Sequence, residues 1–275
     1  MTDYVHGYCE TEAARLQDQS DALAGLLYGD VLDGSGRYPE GALVLEAGCG
    51  TGCQTVRLAA ANPHARFLSV DISAASLETA QRAVDARGLR NVELRQADLM
   101  RLADDPANAG RFDHAFVCFV LEHLPDPAGA LEALRRLIRP GGSMTAIEGD
   151  HGSFSCHPET ARARRTVECL VTLQARAGGD ALIGRRLYPL LSGAGFGQVR
   201  VEPRMVYVDG SNPARIEGFS RNTFIAMVRG VRERALEAGL MTPEDWDAGI
   251  AEMERAATPE GTFCYTFFRA DGVRG

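Results

Sequence analysis

Residues 148–151 read Glu-Gly-Asp-His, placing two carboxyl groups and an imidazole within four positions. That combination suits proton transfer. A free histidine titrates near a pKa of about 6.5, and neighbouring carboxylates can orient the ring and raise that value. His151 is therefore the candidate general base, with Glu148 and Asp150 as its partners. The competing reading is that His151 caps a loop and Asp150 caps a helix. A second set of polar residues lies upstream. Glu46 sits inside the run LVLEAGCGTG (43–52), ahead of Gly48, Gly50 and Gly52. Asp71 closes the apolar run Phe67–Val70, and Asp98 follows Val92 and Leu94.

These residues need elements to hold them. Leu43 to Ala47 reads as a buried parallel strand, and the glycines let the backbone turn sharply and approach a ligand. CQTVRLAAAN then has helical spacing, with Val56, Leu58 and Ala59 inward. Strand, glycine turn and helix form the opening unit of a nucleotide-binding α/β domain. Asp71 lies nineteen residues beyond Gly52, a distance at which an acid can accept hydrogen bonds from ribose hydroxyls. The spacing is G-x-G-x-G rather than G-x-G-x-x-G, and Glu46 would repel a pyrophosphate. The same acid suits a ligand with a cationic amino group, which favours S-adenosylmethionine over a dinucleotide.

Glu-Ala-Gly-Cys-Gly-Thr-Gly followed by Val-Asp-Ile-Ser resembles the class I S-adenosylmethionine-dependent methyltransferases of small-molecule type. Gln96-Ala97-Asp98-Leu99, Phe112 to Cys118, Leu121-Glu122-His123-Leu124 and Leu137 to Gly142 match further family segments in order, over roughly residues 40–150. The resemblance implies a doubly wound, mostly parallel seven-stranded sheet, a Rossmann-like α/β fold. It implies S-adenosyl-L-methionine as cofactor and S-adenosyl-L-homocysteine as product. Glu46, Gly48, Cys49, Gly50 and Gly52 would cradle the methionine part and Asp71 the ribose. Asp98 would meet the adenine amino group, with Ile72 and Leu99 sandwiching the ring. Cys118 and His123 would lie near the cofactor. Gln19, with Arg15, would reach its carboxylate from a lid, and Tyr8, with Tyr4 and His6, would cover the sulfonium. Ligands of open α/β sheets bind beyond the strands' C-terminal ends, which also brings Glu122 into the candidate set.

Composition narrows the acceptor. The chain has 275 residues and a net charge of −8, with no basic stretch suited to a phosphate backbone. Nucleic acid is not the expected partner; a small molecule is. All 29 basic residues are arginine, which rules out chemistry needing a lysine amine. Seven scattered cysteines include no CxxC pair, so no metal site is expected. Without a signal peptide or long apolar run, the expected location is cytoplasmic, with no membrane partner. Homo-oligomerisation stays open.

Three regions follow: a helical lead-in or lid (1–40), the cofactor-binding core (41–151), and substrate-cap helices with the sheet's closing strands (152–275). The fifth strand is expected over Ser143 to Glu148. Helices are expected over 158–178, 185–191, 213–239 and 243–256, and strands over 199–207 and 262–268. The last two strands would form an antiparallel edge hairpin with about 50 residues inserted between them, packing over the strand ends as a roof. Arg185, Arg186 and Arg204 are candidates to clamp a substrate carboxylate. Two alternatives stand beside small-molecule methylation: metalloid methylation through Cys118 and Cys156, and a non-catalytic cofactor-binding scaffold.

Overall fold

The computed structural model describes the backbone of residues 10–34, 36 and 38–275, and side chains from residue 18 onward except 21, 35 and 37. Helix α1 (Glu10–Asp33) leads into β1 (Leu43–Ala47), α2 (Cys53–Ala61), β2 (Arg66–Asp71), α3 (Ala74–Ala86), β3 (Val92–Gln96), α4 (Leu99–Asp104), β4 (Phe112–Cys118) and α5 (Pro127–Leu137). Then come β5 (Ile138–His157), α6 (Ala161–Arg176), α7 (Leu187–Gly193) and β6 (Phe196–Val208). The closing part holds α8 (Pro213–Arg215), a π-helical run (Ile216–Ile225), α9 (Ala226–Arg229), α10 (Arg232–Glu237), α11 (Pro243–Ala256) and β7 (Thr262–Arg274).

The seven strands lie in the order β3-β2-β1-β4-β5-β7-β6. Strands β1 to β5 run parallel, and β7 is antiparallel between β5 and β6. The order reverses between β1 and β4, which makes the crevice above those two strands the place where a ligand fits. Strand β1 is buried from Val44 onward and β4 over His114–Val117, as a sheet covered on both faces requires. One apolar layer joins α1, α2 and the closing helices to the sheet, and a second joins α4, α5 and α7 to its other face.

Local chemistry starts each helix where the strands need it. Ser73, Asp98, Asp126 and Thr242 accept from backbone N–H groups in the first turns of α3, α4, α5 and α11, and Pro follows the cap in the last two.

The largest departure from expectation is β5. It does not stop at Glu148 but continues to His157, paired with β7 on both sides of an irregularity between Asp150 and Ser155. Residues 149 and 152 are glycines because β7 and the turn ahead of α7 leave no room: a Cβ at Gly149 would come within 2.4 Å of the Tyr265 hydroxyl, and one at Gly152 within 2.6 Å of Arg185. The expected helix 158–178 begins at Ala161, and 213–239 divides into short pieces with a break around Gly230 and Val231.

The late strands do form the antiparallel hairpin, and residues 209–261 are inserted between them. Phe219 and Phe224 from the π-helical run pack onto Phe154, Phe263, Tyr265 and Phe267, with ring centroids 5.0–6.1 Å apart. The insertion thus covers one face of β7 and the extension of β5.

Candidate functional site

The glycine loop is tied down from within. Gly48 and Cys49 both donate their N–H to Val70 O, and Gly50 donates to Asp71 Oδ2 at 2.8 Å. Gly48, Gly50 and Gly52 all adopt positive φ (72°, 53° and 81°), a region closed to most side chains. A Cβ on Gly48 would strike Val120 and one on Gly52 would strike Ala80, whereas one on Gly50 would meet nothing. The loop therefore packs at its ends and faces open space at its middle. Gly52, the residue ahead of α2, has no side chain to cap the helix's first turn, and a helix N-terminus favours an anion.

Glu46 lies beneath, 3% exposed. Its Oε2 accepts from the hydroxyls of Thr55 and Ser69, each at 2.6 Å. Burial pushes its carboxyl up to about 7, against the pull of those two hydroxyls. At the end of β2, Asp71 Oδ1 accepts from Ser73 N (2.8 Å), so each carboxylate oxygen already holds one N–H and keeps further lone pairs. Beside it Ile72 is 58% exposed, a bare apolar surface at the ligand end of the sheet. Asp98 is half-buried and accepts from Met100 N at 2.8 Å, so it does cap α4; Leu99 is half-buried behind it. Cys118 receives a long contact from Gln54 Nε2 (4.0 Å). His123 Nε2 is 3.6 Å from Glu122 Oε1. Gln19 is half-buried on α1. Tyr4, His6, Tyr8 and the side chain of Arg15 lie outside the described residues.

The Glu148–His151 cluster is arranged differently from expectation. Four residues of β5, His151 to Phe154, stand opposite the single Tyr265 of β7. This bulge frees His151 from the ladder: its N–H bonds Ala181 O instead, and Ser153 Oγ bridges Asp150 O and Thr266 N. His151, 7% exposed, points Nδ1 at Tyr265 Oη, 2.5 Å away. Burial and nearby acidic groups push the Tyr265 phenol far up, so it stays protonated.

Neither carboxylate orients the imidazole, which corrects that expectation. Asp150 is held by Arg185, Nε to Oδ2 at 2.7 Å and Nη2 to Oδ1 at 2.8 Å. Glu148 is fully buried and its Oε1 accepts from Val120 N and Leu121 N, anchoring the turn after β4. Burial and the charge of Glu122 raise its carboxyl well above the usual range, so it is neutral. The arginines expected as a clamp are engaged inside the chain. Arg185, Arg186 and Arg204 each pair within the chain, with Asp150, Asp180 and Glu202. Tyr265 is the partner that sequence reasoning missed. Its signal is a single hydroxyl among the phenylalanines of one strand face, Phe263 and Phe267 on either side, since a buried hydroxyl needs a partner.

Residues 45–144 match the family described as a methyltransferase domain. Within that span the chain carries a methyltransferase domain of the S-adenosylmethionine-dependent kind. The family's methyl donor is S-adenosylmethionine. A 37.1 kDa protein of transposon TN4556 from Streptomyces fradiae is 32% identical over 204 residues, 73% of this chain and 54% of that protein. Methyltransferase str2 of Strobilurus tenacellus is 26% identical over 98% of this chain and 96% of its own length. Phosphoethanolamine N-methyltransferase 2 of Haemonchus contortus was solved with phosphomonomethylethanolamine and S-adenosylhomocysteine. It shares the fold with a TM-score of 0.54 at 17% identity, over 92% of this chain and 52% of that one. The chain spans about half the length, or less, of the first curated relatives it matches.

Among the described residues no group of three or more His, Cys, Asp and Glu is placed to hold a metal ion, and no helix is long and apolar enough to cross a membrane. Burial pushes the thiols of Cys49, Cys53 and Cys118 up, which keeps them protonated.

Proposed function

We propose that this chain transfers the methyl group of S-adenosylmethionine to a small molecule whose reacting atom carries a proton, such as a phenol, an enol or an acidic carbon. The observation that carries this reading is His151, lifted from its ladder by a bulge and bonded to a buried phenol at the ligand end of the sheet. In the tautomer whose Nδ1–H donates to Tyr265 Oη, Nε2 is the ring nitrogen that accepts a proton. Tyr265 replaces Glu148 and Asp150 as the group that fixes the ring. Those two acids hold the surrounding backbone and Arg185, so they act by position.

The residues around the glycine loop fit the donor. Uncapped N–H groups of α2 suit its carboxylate and the Glu46 carboxyl its amino group. Asp71 suits the ribose hydroxyls. Exposed Ile72, with Leu99 and the remaining oxygen of Asp98, suits the adenine. Gly48, Cys49, Gly50 and Gly52 shape the loop, and Cys118, His123, Gln19 and Tyr8 would border it. When bound, the donor supplies an electrophilic methyl group on a sulfonium; the protein's part is alignment, exclusion of water and removal of the acceptor's proton. The acidic surface and the aromatic wall of the insertion favour a small acceptor over nucleic acid.

Incubation with methyl-deuterated S-adenosylmethionine and a metabolite extract of the source cells tests this. Label in one small molecule supports the reading. Label in protein or nucleic acid overturns the acceptor class. No label, with the donor shown to bind, favours a non-catalytic scaffold.

A further inference from the structure

The insertion between β6 and β7 keeps π-helical geometry over Ile216–Ile225. Such geometry is rare beyond a single turn and recurs at functional sites. Its effect here follows from spacing. Positions i and i+5 of an α-helix lie about 140° apart around the axis. The i→i+5 bond of a π-helix returns them to one face. Phe219 and Phe224 have that spacing, and both reach β7. Phe219 packs on Phe263, Tyr265 and Phe267, and Phe224 on Phe263 and Tyr265. Thr223 Oγ1 donates to Gly218 O at 2.7 Å, the same step made by a side chain.

Phe224 also reaches β5. Its ring stacks on Phe154, with centroids 5.0 Å apart and planes at 14°. It stands edge-on to the His151 imidazole, with centroids 6.2 Å apart and planes at 81°. His151 and Phe154 are the two ends of the bulge that faces Tyr265. One buried ring therefore braces both ends of the bulge, while Tyr265 Oη meets the imidazole at Nδ1. In α-helical geometry the residue that shares a face of the helix with Phe219 would not be Phe224, and this brace would be lost.

We propose that Phe224 is the positioning residue for His151, and that the π-helical run serves to deliver it. This inference rests on His151 as the base described under Proposed function. Phe224 acts through the imidazole. It fixes the plane of the ring, so that Nδ1 stays on Tyr265 and Nε2 is turned to the acceptor.

Phe224→Leu keeps an apolar side chain but removes the flat wall. Nitrogen-15 NMR of histidine-labelled protein reads the ring tautomer, with the His151 signals assigned by their loss in His151→Ala. The wild type should show His151 as a single tautomer protonated at Nδ1, and Phe224→Leu a mixture of the two tautomers. Transfer of a deuterated methyl group from S-adenosylmethionine in the metabolite extract should fall about tenfold in Phe224→Leu. Its affinity for S-adenosylhomocysteine should not change. Phe219→Leu removes a ring from the same wall one turn away, and its His151 spectrum should match the wild type. Any other tautomer state in the wild type, or an unchanged spectrum in Phe224→Leu, overturns the proposal. So does an equal mixture in Phe219→Leu, which would make the effect a general loosening of the core. If Phe224→Leu does not fold, Phe224→Met makes the same comparison with a longer side chain. Undiminished transfer by His151→Ala would remove the base itself, a result separate from the ring spectrum of Phe224→Leu.

Discussion

Replacing Glu46 by glutamine gives the electrostatic account its most quantitative test. The carboxyl titrates near 4.5 in the unfolded chain and is pushed to about 7 by burial in the fold. A folded-state pKa above the unfolded one means that the folded protein binds the proton more tightly. Stability from this group is then fully present below pH 4.5 and is lost as pH rises through 7. The linkage relation makes the loss about 2.5 kcal/mol between pH 5 and pH 8. Glutamine keeps the volume and an acceptor for Thr55 and Ser69 but does not titrate. Urea unfolding of both proteins at pH 5 and pH 8 isolates this one group, because the other titrating groups cancel in the difference. The wild type should lose about 2.5 kcal/mol relative to Glu46→Gln over that interval. A difference that stays constant, or that grows in the wild type's favour, refutes the assignment of Glu46 as a carboxyl displaced by burial.

Three further outcomes follow from the same geometry. Asp71→Ala should weaken S-adenosylhomocysteine binding by about 1–3 kcal/mol, read by calorimetry, because the ribose hydroxyls lose their acceptor. Arg185→Ala leaves the buried Asp150 carboxylate without its cation. Arg185 is half-exposed, so the cost should be about 2 kcal/mol rather than that of a fully buried pair, seen as a lower urea midpoint. Glu148→Gln should unfold at nearly the same urea concentration as the wild type at pH 6. The amide reproduces a neutral acid that accepts from Val120 and Leu121, and a large loss would mean that the group is charged.

The parallel half of the sheet was legible in the sequence because its signals are local. Leu43–Ala47 and Phe67–Asp71 are apolar runs that close at a glycine or an acid, Phe112–Cys118 has an apolar centre over Ala115–Val117, and each forms the strand read there. Thr242 with Pro243 fixed the start of the last helix for the same reason. The extension of β5 was not legible. EGDHGS carries two glycines and three titratable groups, a composition that reads as a loop, and only its pairing with β7 more than a hundred residues away holds it extended. The partner of His151 was hidden by the same distance. Tyr265 approaches it through a bulge that no local pattern encodes. The arginines' acidic partners, Asp150 for Arg185 above all, were hidden as well, because tertiary packing brings them together.

The account's central claim is that His151 takes the acceptor's proton beside a donor held by the glycine loop. The most direct measurement is transfer of a deuterated methyl group into the labelled small-molecule product by wild type and His151→Ala, alongside titration of both with S-adenosylhomocysteine. The account predicts that product formation falls about 10²–10⁴-fold while S-adenosylhomocysteine affinity is unchanged. Label formed at an undiminished rate by His151→Ala would contradict it.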